Sequence, residues 1–261
     1  MALHISLMFC FGLLGNIISC FVCLSPLPTF YLIYKKKTSE GFQSIPYVIA
    51  LLSAMLWLFY AIFQKDSTLL ITINSFTFLM EVIYIAVYLF YATKKDRMVT
   101  IKFLLLFNVF GFGVISILTL SLTHGKMRVK VLGWINLIFA LSVFAAPLCI
   151  VRKVIKTKSV EFMPFYLSFF LTLSAVMWFF YGFFKKDPYV AIPNTLGFVF
   201  GLLQMVLYVI YRNSPKKLVE DPKLQLSEHV VDVAKLGPAM LSDLNAVVVP
   251  EPNCNVKTTM T

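Results

Sequence analysis

The stretch Ser53-Ala54-Met55-Leu56-Trp57-Leu58-Phe59-Tyr60 returns 121 residues later as Ser174-Ala175-Val176-Met177-Trp178-Phe179-Phe180-Tyr181. The correspondence runs on to Lys65-Asp66 against Lys186-Asp187, and backward it pairs Val22 with Val143 and Pro26 with Pro147. After a slip of one residue it continues, matching Asn74 with Asn194, Tyr88 with Tyr208 and Tyr91 with Tyr211. A fixed internal offset marks a duplicated structural unit. Two copies of one apolar, Trp-bearing unit therefore make up most of the chain.

The composition says where such units live. Of the 261 residues, 59% are hydrophobic, 16% aromatic and only 13% charged, whereas a soluble domain carries about a quarter of its residues as charges. A water-soluble surface cannot be covered with so few polar groups. A soluble enzyme, a nucleic-acid-binding domain and a disordered chain are excluded; the chain belongs in a lipid bilayer. Apolar runs fall at 5–34, 44–63, 68–92, 101–122, 129–153, 165–184 and 189–212, each long enough for a helix to cross. The first is too long for the core of a signal peptide. The expected fold is an all-α membrane protein of seven transmembrane helices. Helices 1–3 (5–92) match helices 5–7 (129–212), and helix 4 (101–122) is an unpaired linker. Three helices plus one linker return the second triplet to the orientation of the first, which gives parallel repeats about an axis along the membrane normal, a transporter architecture. Residues 213–261 turn polar and lose periodicity, and read as a disordered cytosolic tail.

Charge sets the expected sidedness. The net charge is +11, and the basic residues sit at the ends of the apolar runs. Segments 35–43, 93–100, 154–164 and 213 onward share one face, with fourteen Lys and Arg from Lys35 to Lys217 at that face or the adjoining helix ends. The other face has six, among them Lys126, Arg128 and Lys130 in one loop. The positive-inside rule then places the N-terminus outside and the C-terminus in the cytosol. Four of the five cysteines, Cys10, Cys20, Cys23 and Cys149, lie in apolar runs and act as small hydrophobes.

Candidate binding residues share one depth. Trp57 lies six residues before the end of helix 2 and Asn74 six after the start of helix 3, so at 1.5 Å per residue both sit about 9 Å below the membrane edge. Trp178 and Asn194 repeat that placement, with Ser53 and Ser174 one turn deeper. Carboxamides both donate and accept without charge, and an indole offers an apolar face, a combination suited to a neutral polyol. Nothing in the sequence calls for a metal or a cofactor. Pro26 and Pro147 fall within helices 1 and 5, where each removes a backbone hydrogen bond and permits a kink. Pro46 and Pro164 stand at the starts of helices 2 and 6. Glu81, two turns beyond Asn74 on the same face, is a carboxylate at membrane depth and an expected structural group.

The same residues carry a resemblance. FGLLGNIIS (11–19), SPLPTF (25–30), KKKTSEGFQSIPYV (35–48), FAAPL (144–148), KSVEFMPF (158–165), SAVMWFFYG (174–182) and PNTLG (193–197) resemble the SWEET, or MtN3/saliva, family of sugar transporters over roughly 5–212. The resemblance implies a facilitative, bidirectional sugar uniporter working by alternating access, and is nearest to the plant branch that exports sucrose at the plasma membrane. It implies that Asn74, Asn194, Trp57 and Trp178 line a sugar cavity whose width is shaped by Val22, Val143, Ser53 and Ser174. It also implies a cytosolic hinge and gate at Pro26, Pro46, Pro147 and Pro164, an extracellular gate at Tyr60, Tyr181 and Asp187 with Lys65 nearby, and homo-oligomers in the bilayer.

Two rivals are distinguishable. A seven-helix receptor of the G-protein-coupled type lacks a triplet repeat; here helix 3 ends Tyr91-Ala92-Thr93, and Pro193 precedes Asn194 rather than following it. A proton-coupled carrier would work through Glu81, yet the repeat position of Glu81 is Gly201, so no second acid joins it.

Overall fold

The computed structural model describes residues 2–160 and 165–213, and among them every regular element is a helix. These are α1 (Ala2–Leu24), α2 (Leu27–Lys36), α3 (Ile45–Phe63), α4 (Thr68–Tyr91), α5 (Lys94–Phe103), a π-helical stretch (Leu104–Gly111), α6 (Phe112–Leu122), α7 (Gly125–Val143), α8 (Ala145–Thr157), α9 (Phe165–Lys185) and α10 (Pro188–Tyr211). They form seven apolar spans, the first built from α1 and α2, the fourth from α5 through α6, and the fifth from α7 and α8. The tail from 214 onward and Pro164 lie outside the described residues.

The breaks inside the spans follow from proline chemistry. Pro26 lacks the N–H that would reach the carbonyl of Val22, four residues back; the Ser25 amide takes that carbonyl at 3.1 Å, and the Tyr84 hydroxyl takes the next one, on Cys23, at 2.9 Å. The fifth span breaks at Phe144, three residues before Pro147, whose missing partner is the carbonyl of Val143. Pro46 sits in the first turn of α3, where an N–H is not needed. It starts a helix there.

The duplication reaches into the turns. Lys37 and Lys158, at the two-fold repeat offset, both end their helices with a left-handed residue (φ 57° and 52°), and Asp66 and Lys186 repeat that feature between the next two spans (φ 51° and 57°). Packing repeats as well. In the first bundle α1, α2 and α3 all pack on α4, giving the lateral order 1–3–2; in the second, α7, α8 and α9 pack on α10. The bundles meet through α1 against α9 and α3 against α7, two equivalent contacts with the roles of the bundles exchanged. The linker packs along α3 and reaches α7.

The linker is longer than the hydropathy predicts. It begins at Lys94 rather than 101 because Thr93 caps it, its hydroxyl accepting from the Asp96 amide at 3.2 Å and donating to the Asp96 carboxylate at 2.8 Å. Charge ends an apolar run without ending a helix. Arg97 reaches back to the carbonyls of Leu89, Phe90 and Ala92 at the end of α4. Arg128 does the same for α6, bonding Leu120 and Thr123 at 2.7–3.1 Å while stacking over Phe63. A helix C-terminus with unpaired carbonyls favours such a cation, which accounts for a positive charge on the face with fewer of them.

Side chains sort by environment. Phe9, Leu13, Ile17 and Phe21 form an exposed stripe along α1, at the spacing of one helix face. Inside, an aromatic cluster of Phe30, Tyr47, Tyr84 and Tyr88 fills the basic end of the first bundle, and Ile150, Val151, Val154 and Leu207 fill that of the second. A third cluster, of Ala61, Leu70, Ile73, Trp178, Tyr181 and Val190, joins the two bundles toward the opposite end.

Candidate functional site

The joining cluster roofs the region that the repeat singled out. Leu70 and Val190 sit one turn before Asn74 and Asn194, and their carbonyls hold the two carboxamides: Asn74 Nδ2 donates to Leu70 at 2.8 Å and Asn194 Nδ2 to Val190 at 2.7 Å. Both asparagines are half-buried. Among the described residues neither amide oxygen accepts a hydrogen bond, so each side chain keeps an acceptor and one N–H for a guest. The two tryptophans flank the same roof, each ring edge-on to the tyrosine one turn away: Trp57 to Tyr60 at 5.8 Å and Trp178 to Tyr181 at 5.2 Å.

The two halves differ in one respect that the sequence did not announce. The indole of Trp178 is buried and donates to Ser19 Oγ at 3.0 Å, and Ser19 Oγ lies 2.9 Å from Ser174 Oγ. Gly15 lets the ring approach: a Cβ added there would meet the indole at 3.1 Å. Trp57 is half-buried, with no bond from its indole N–H among the described residues. Ser19 corresponds to Ala140 in the second repeat, so a search for matched pairs passes over it. Trp178 and Ser174 are thus tied into the bundle contact, while Trp57 and Ser53 stay half-buried without such a tie.

Val22 and Val143 stand four residues before Pro26 and Pro147, so the carbonyls released by the two prolines are their own. Val22 is half-buried and Val143 exposed. The positions that the resemblance associates with cavity width are therefore the positions at which the spans bend.

One end of the bundle contact is closed by polar bonds. Tyr60 and Tyr181 are fully buried. Tyr60 donates to Asp187 Oδ2 at 2.7 Å, and Gln64 Nε2 donates to the same oxygen at 3.2 Å. The other carboxylate oxygen caps α10, accepting from the amides of Tyr189 and Val190 at 3.2 and 3.4 Å. On the symmetric side the Lys185 ammonium donates to the Asp66 carbonyl at 2.8 Å, to Ser67 at 2.6 Å and to Tyr181 at 3.1 Å. Tyr181 reaches the Asp66 carbonyl at 3.4 Å. Tyr60 and Asp187 are joined directly, and Tyr181 closes the same end through the Asp66 carbonyl. Lys65 is exposed and, among the described residues, forms no ion pair with Asp187. Gln64, Asp66 and Lys185 were missed; the signal was available, since Gln64 and Lys185 stand at the repeat offset, but their types differ. Among the described residues all hydrogen bonds between the bundles lie at the level of Ser174 or beyond it toward this end.

Glu81 is 7% exposed, and its Oε2 has no hydrogen-bond partner among the described residues. Gly201, at its repeat position, lets α10 and α9 close up, because a Cβ there would collide with Thr172. Among the described residues no group of His, Cys, Asp and Glu could hold a metal ion.

Comparison with known proteins bears on this arrangement. A family described as "Sugar efflux transporter for intercellular exchange", MtN3/saliva, matches twice, over residues 9–96 and 130–216. The chain belongs to the SWEET (MtN3/saliva) family of sugar transporters. It is 56% identical over 253 residues to the bidirectional sugar transporter SWEET10 of Arabidopsis thaliana, covering 96% of this chain and 88% of that one. Against SWEET11 of the same plant it is 57% identical, covering 88% and 81%, and against SWEET15 of Oryza sativa subsp. japonica 56%, covering 86% and 73%. A solved structure of a eukaryotic SWEET transporter superposes with a TM-score of 0.77 at 34% identity, over 81% of this chain and all of that one. These relatives carry transporter names rather than enzyme names, and membership in the SWEET family leaves the receptor reading without support.

Proposed function

We propose that the chain is a facilitative sugar carrier that moves its substrate in either direction by alternating access, with sucrose as substrate. The observation that carries this is the pair of half-buried carboxamides, Asn74 and Asn194, each bound once to its own helix and each left with a free acceptor and a free N–H. Sugar hydroxyls donate and accept in the same way. The C–H faces of a pyranose suit the rings of Trp57 and Trp178, and Ser53, Ser174, Val22 and Val143 limit how wide a guest fits. The relatives named above are bidirectional sugar transporters, which supports the substrate class.

The cycle rests on the two ends. Tyr60, Tyr181 and Asp187 hold the extracellular gate closed in the state described, while the kinks at Pro26 and Pro147, with Pro46 at the start of α3, form the cytosolic hinge; Pro164, the fourth proline assigned to it, lies outside the described residues. Residues 5–92 and 129–212 act as two units about the linker at 101–122. Charge bias supports an extracellular N-terminus and a cytosolic C-terminus, with the plasma membrane as the location and a homo-oligomer as the assembly; cross-linking in native membranes reads the number of copies.

Uptake of labelled sucrose and glucose by cells expressing the wild type and Asn194→Ala tests the reading. Sucrose uptake by the wild type that falls at least tenfold in the variant, at equal surface expression, supports it. Equal uptake by the two removes the site.

A further inference from the structure

Between α2 and α4, on the lipid-facing side at the basic end, lies an apolar groove of about 520 Å³. Phe30, Tyr31 and Tyr34 form one wall and Ile83, Val87 and Phe90 the other. Its rim is bare: Tyr31 is 65% and Phe90 74% exposed. The mouth is different in kind. α2 ends in Lys35-Lys36-Lys37, and the left-handed turn at Lys37 brings its ammonium over the Tyr34 ring at 3.8 Å and to the Tyr91 hydroxyl at 3.3 Å. Tyr34 and Tyr91 meet edge to face at 6.2 Å, and the hydroxyl-bearing rings stand on either side of the cation. Arg97 lies at the same end, tied to the last carbonyls of α4 beside Phe90. The acids near this end in sequence are Glu40, in the following turn, and Asp96, engaged with Thr93.

An apolar trough closed at one end by tyrosines and lysines has the layout of a phospholipid lying along a protein: acyl chain against the walls, headgroup at the membrane interface. Tyrosine rings rest at headgroup depth, and clustered lysines there select negative headgroups over zwitterionic ones. The groove is not an automatic product of the fold. In the second bundle the position of Tyr31 is taken by Arg152 and that of Tyr34 by Ile155, so the equivalent wall loses both tyrosines and Lys158, at the position of Lys37, has no Tyr34 ring to stack on. From the groove, the mouth and the membrane depth together, we propose that α2 and α4 hold one anionic phospholipid of the cytosolic leaflet. The proposal rests on the membrane orientation argued from charge and not on the sugar site. The lipid bridges α4 to the half of the first span that lies beyond the Pro26 break, so it braces the segment that the hinge would move.

Native mass spectrometry of the full chain tests this, after exchange into detergent micelles doped with equal amounts of phosphatidylserine and phosphatidylcholine. The expected result is one retained phosphatidylserine per chain, favoured at least fivefold over phosphatidylcholine. Lys35→Gln/Lys36→Gln/Lys37→Gln should bring that preference below twofold, and Ile83→Trp, a change at an exposed position that fills the groove, should abolish retention of either lipid. Both variants must keep the wild-type melting temperature within a few degrees. Equal retention of the two lipids by the wild type overturns the proposal, as does undiminished preference in the triple variant. Disulfide-linked dimers of Ile83→Cys in native membranes also overturn it, because a second copy of the chain would then occupy the groove.

Discussion

Tyr60 donates a 2.7 Å hydrogen bond to the carboxylate of Asp187, which joins the end of α3 in one bundle to the start of α10 in the other. The acceptor is charged and buried, so this bond belongs to the stronger class, worth about 1.5–3 kcal/mol. Asp187 also caps α10, so Tyr60→Phe, which leaves the cap in place, tests the bond between bundles more cleanly than Asp187→Ala does.

If this bond holds one end shut, Tyr60→Phe shifts the population toward opening there by roughly tenfold or more. Ser53→Cys, in a chain with Cys10, Cys20, Cys23, Cys149 and Cys254 replaced by Ala, should react correspondingly faster with a membrane-impermeant maleimide added outside. An unchanged labelling rate contradicts the role of the pair.

The two tryptophans should behave differently. Trp178→Phe breaks the bond to Ser19, whereas Trp57→Phe breaks no hydrogen bond among the described residues. Trp178→Phe should therefore cost about 1 kcal/mol more in stability than Trp57→Phe, read as a lower melting temperature in detergent. Equal losses would mean that the Ser19 contact contributes nothing.

Close packing at Gly201 is sharper still. A methyl group at that position collides with Thr172, and overpacking of this kind costs about 1–3 kcal/mol. Gly201→Ala should lower the melting temperature, and Thr172→Gly in the same chain should recover part of the loss. Additive losses would show that α9 and α10 are not in contact there.

Glu81 is buried with one oxygen unpartnered among the described residues, a placement that suits a packing group of fixed volume. Glu81→Gln keeps that volume and much of the hydrogen-bonding capacity, so transport should stay within about twofold of wild type, with the same response to external pH and to a protonophore. Loss of a proton-dependent component on this substitution would instead make Glu81 a coupling residue.

Much of this was legible in the sequence because one physical demand was written twice. The Trp57/Trp178 and Asn74/Asn194 pairs, the proline breaks and the depth of the site all follow from an offset of 120 or 121 residues together with helical rise. The parts that were not legible are those in which the halves diverge. Ser19 has Ala140 as its counterpart, so the contact that locks Trp178 leaves no trace in the repeat. Lys185 answers Gln64 with a different chemistry, and Asp66 takes part through its backbone carbonyl, which no side-chain pattern reports. The linker helix begins at Lys94, ahead of the apolar run that starts at 101, because charge marks the end of an apolar run and not the end of a helix.

The most direct measurement is sucrose counterflow by purified protein in liposomes, comparing the wild type with Asn74→Ala/Asn194→Ala. The wild type should exchange labelled sucrose in both directions without an ion gradient, and the double variant should fall to the rate of protein-free liposomes while retaining its fold and melting temperature. Exchange by the double variant at the wild-type rate, or none by the wild type, would contradict a polyol site built on the two carboxamides.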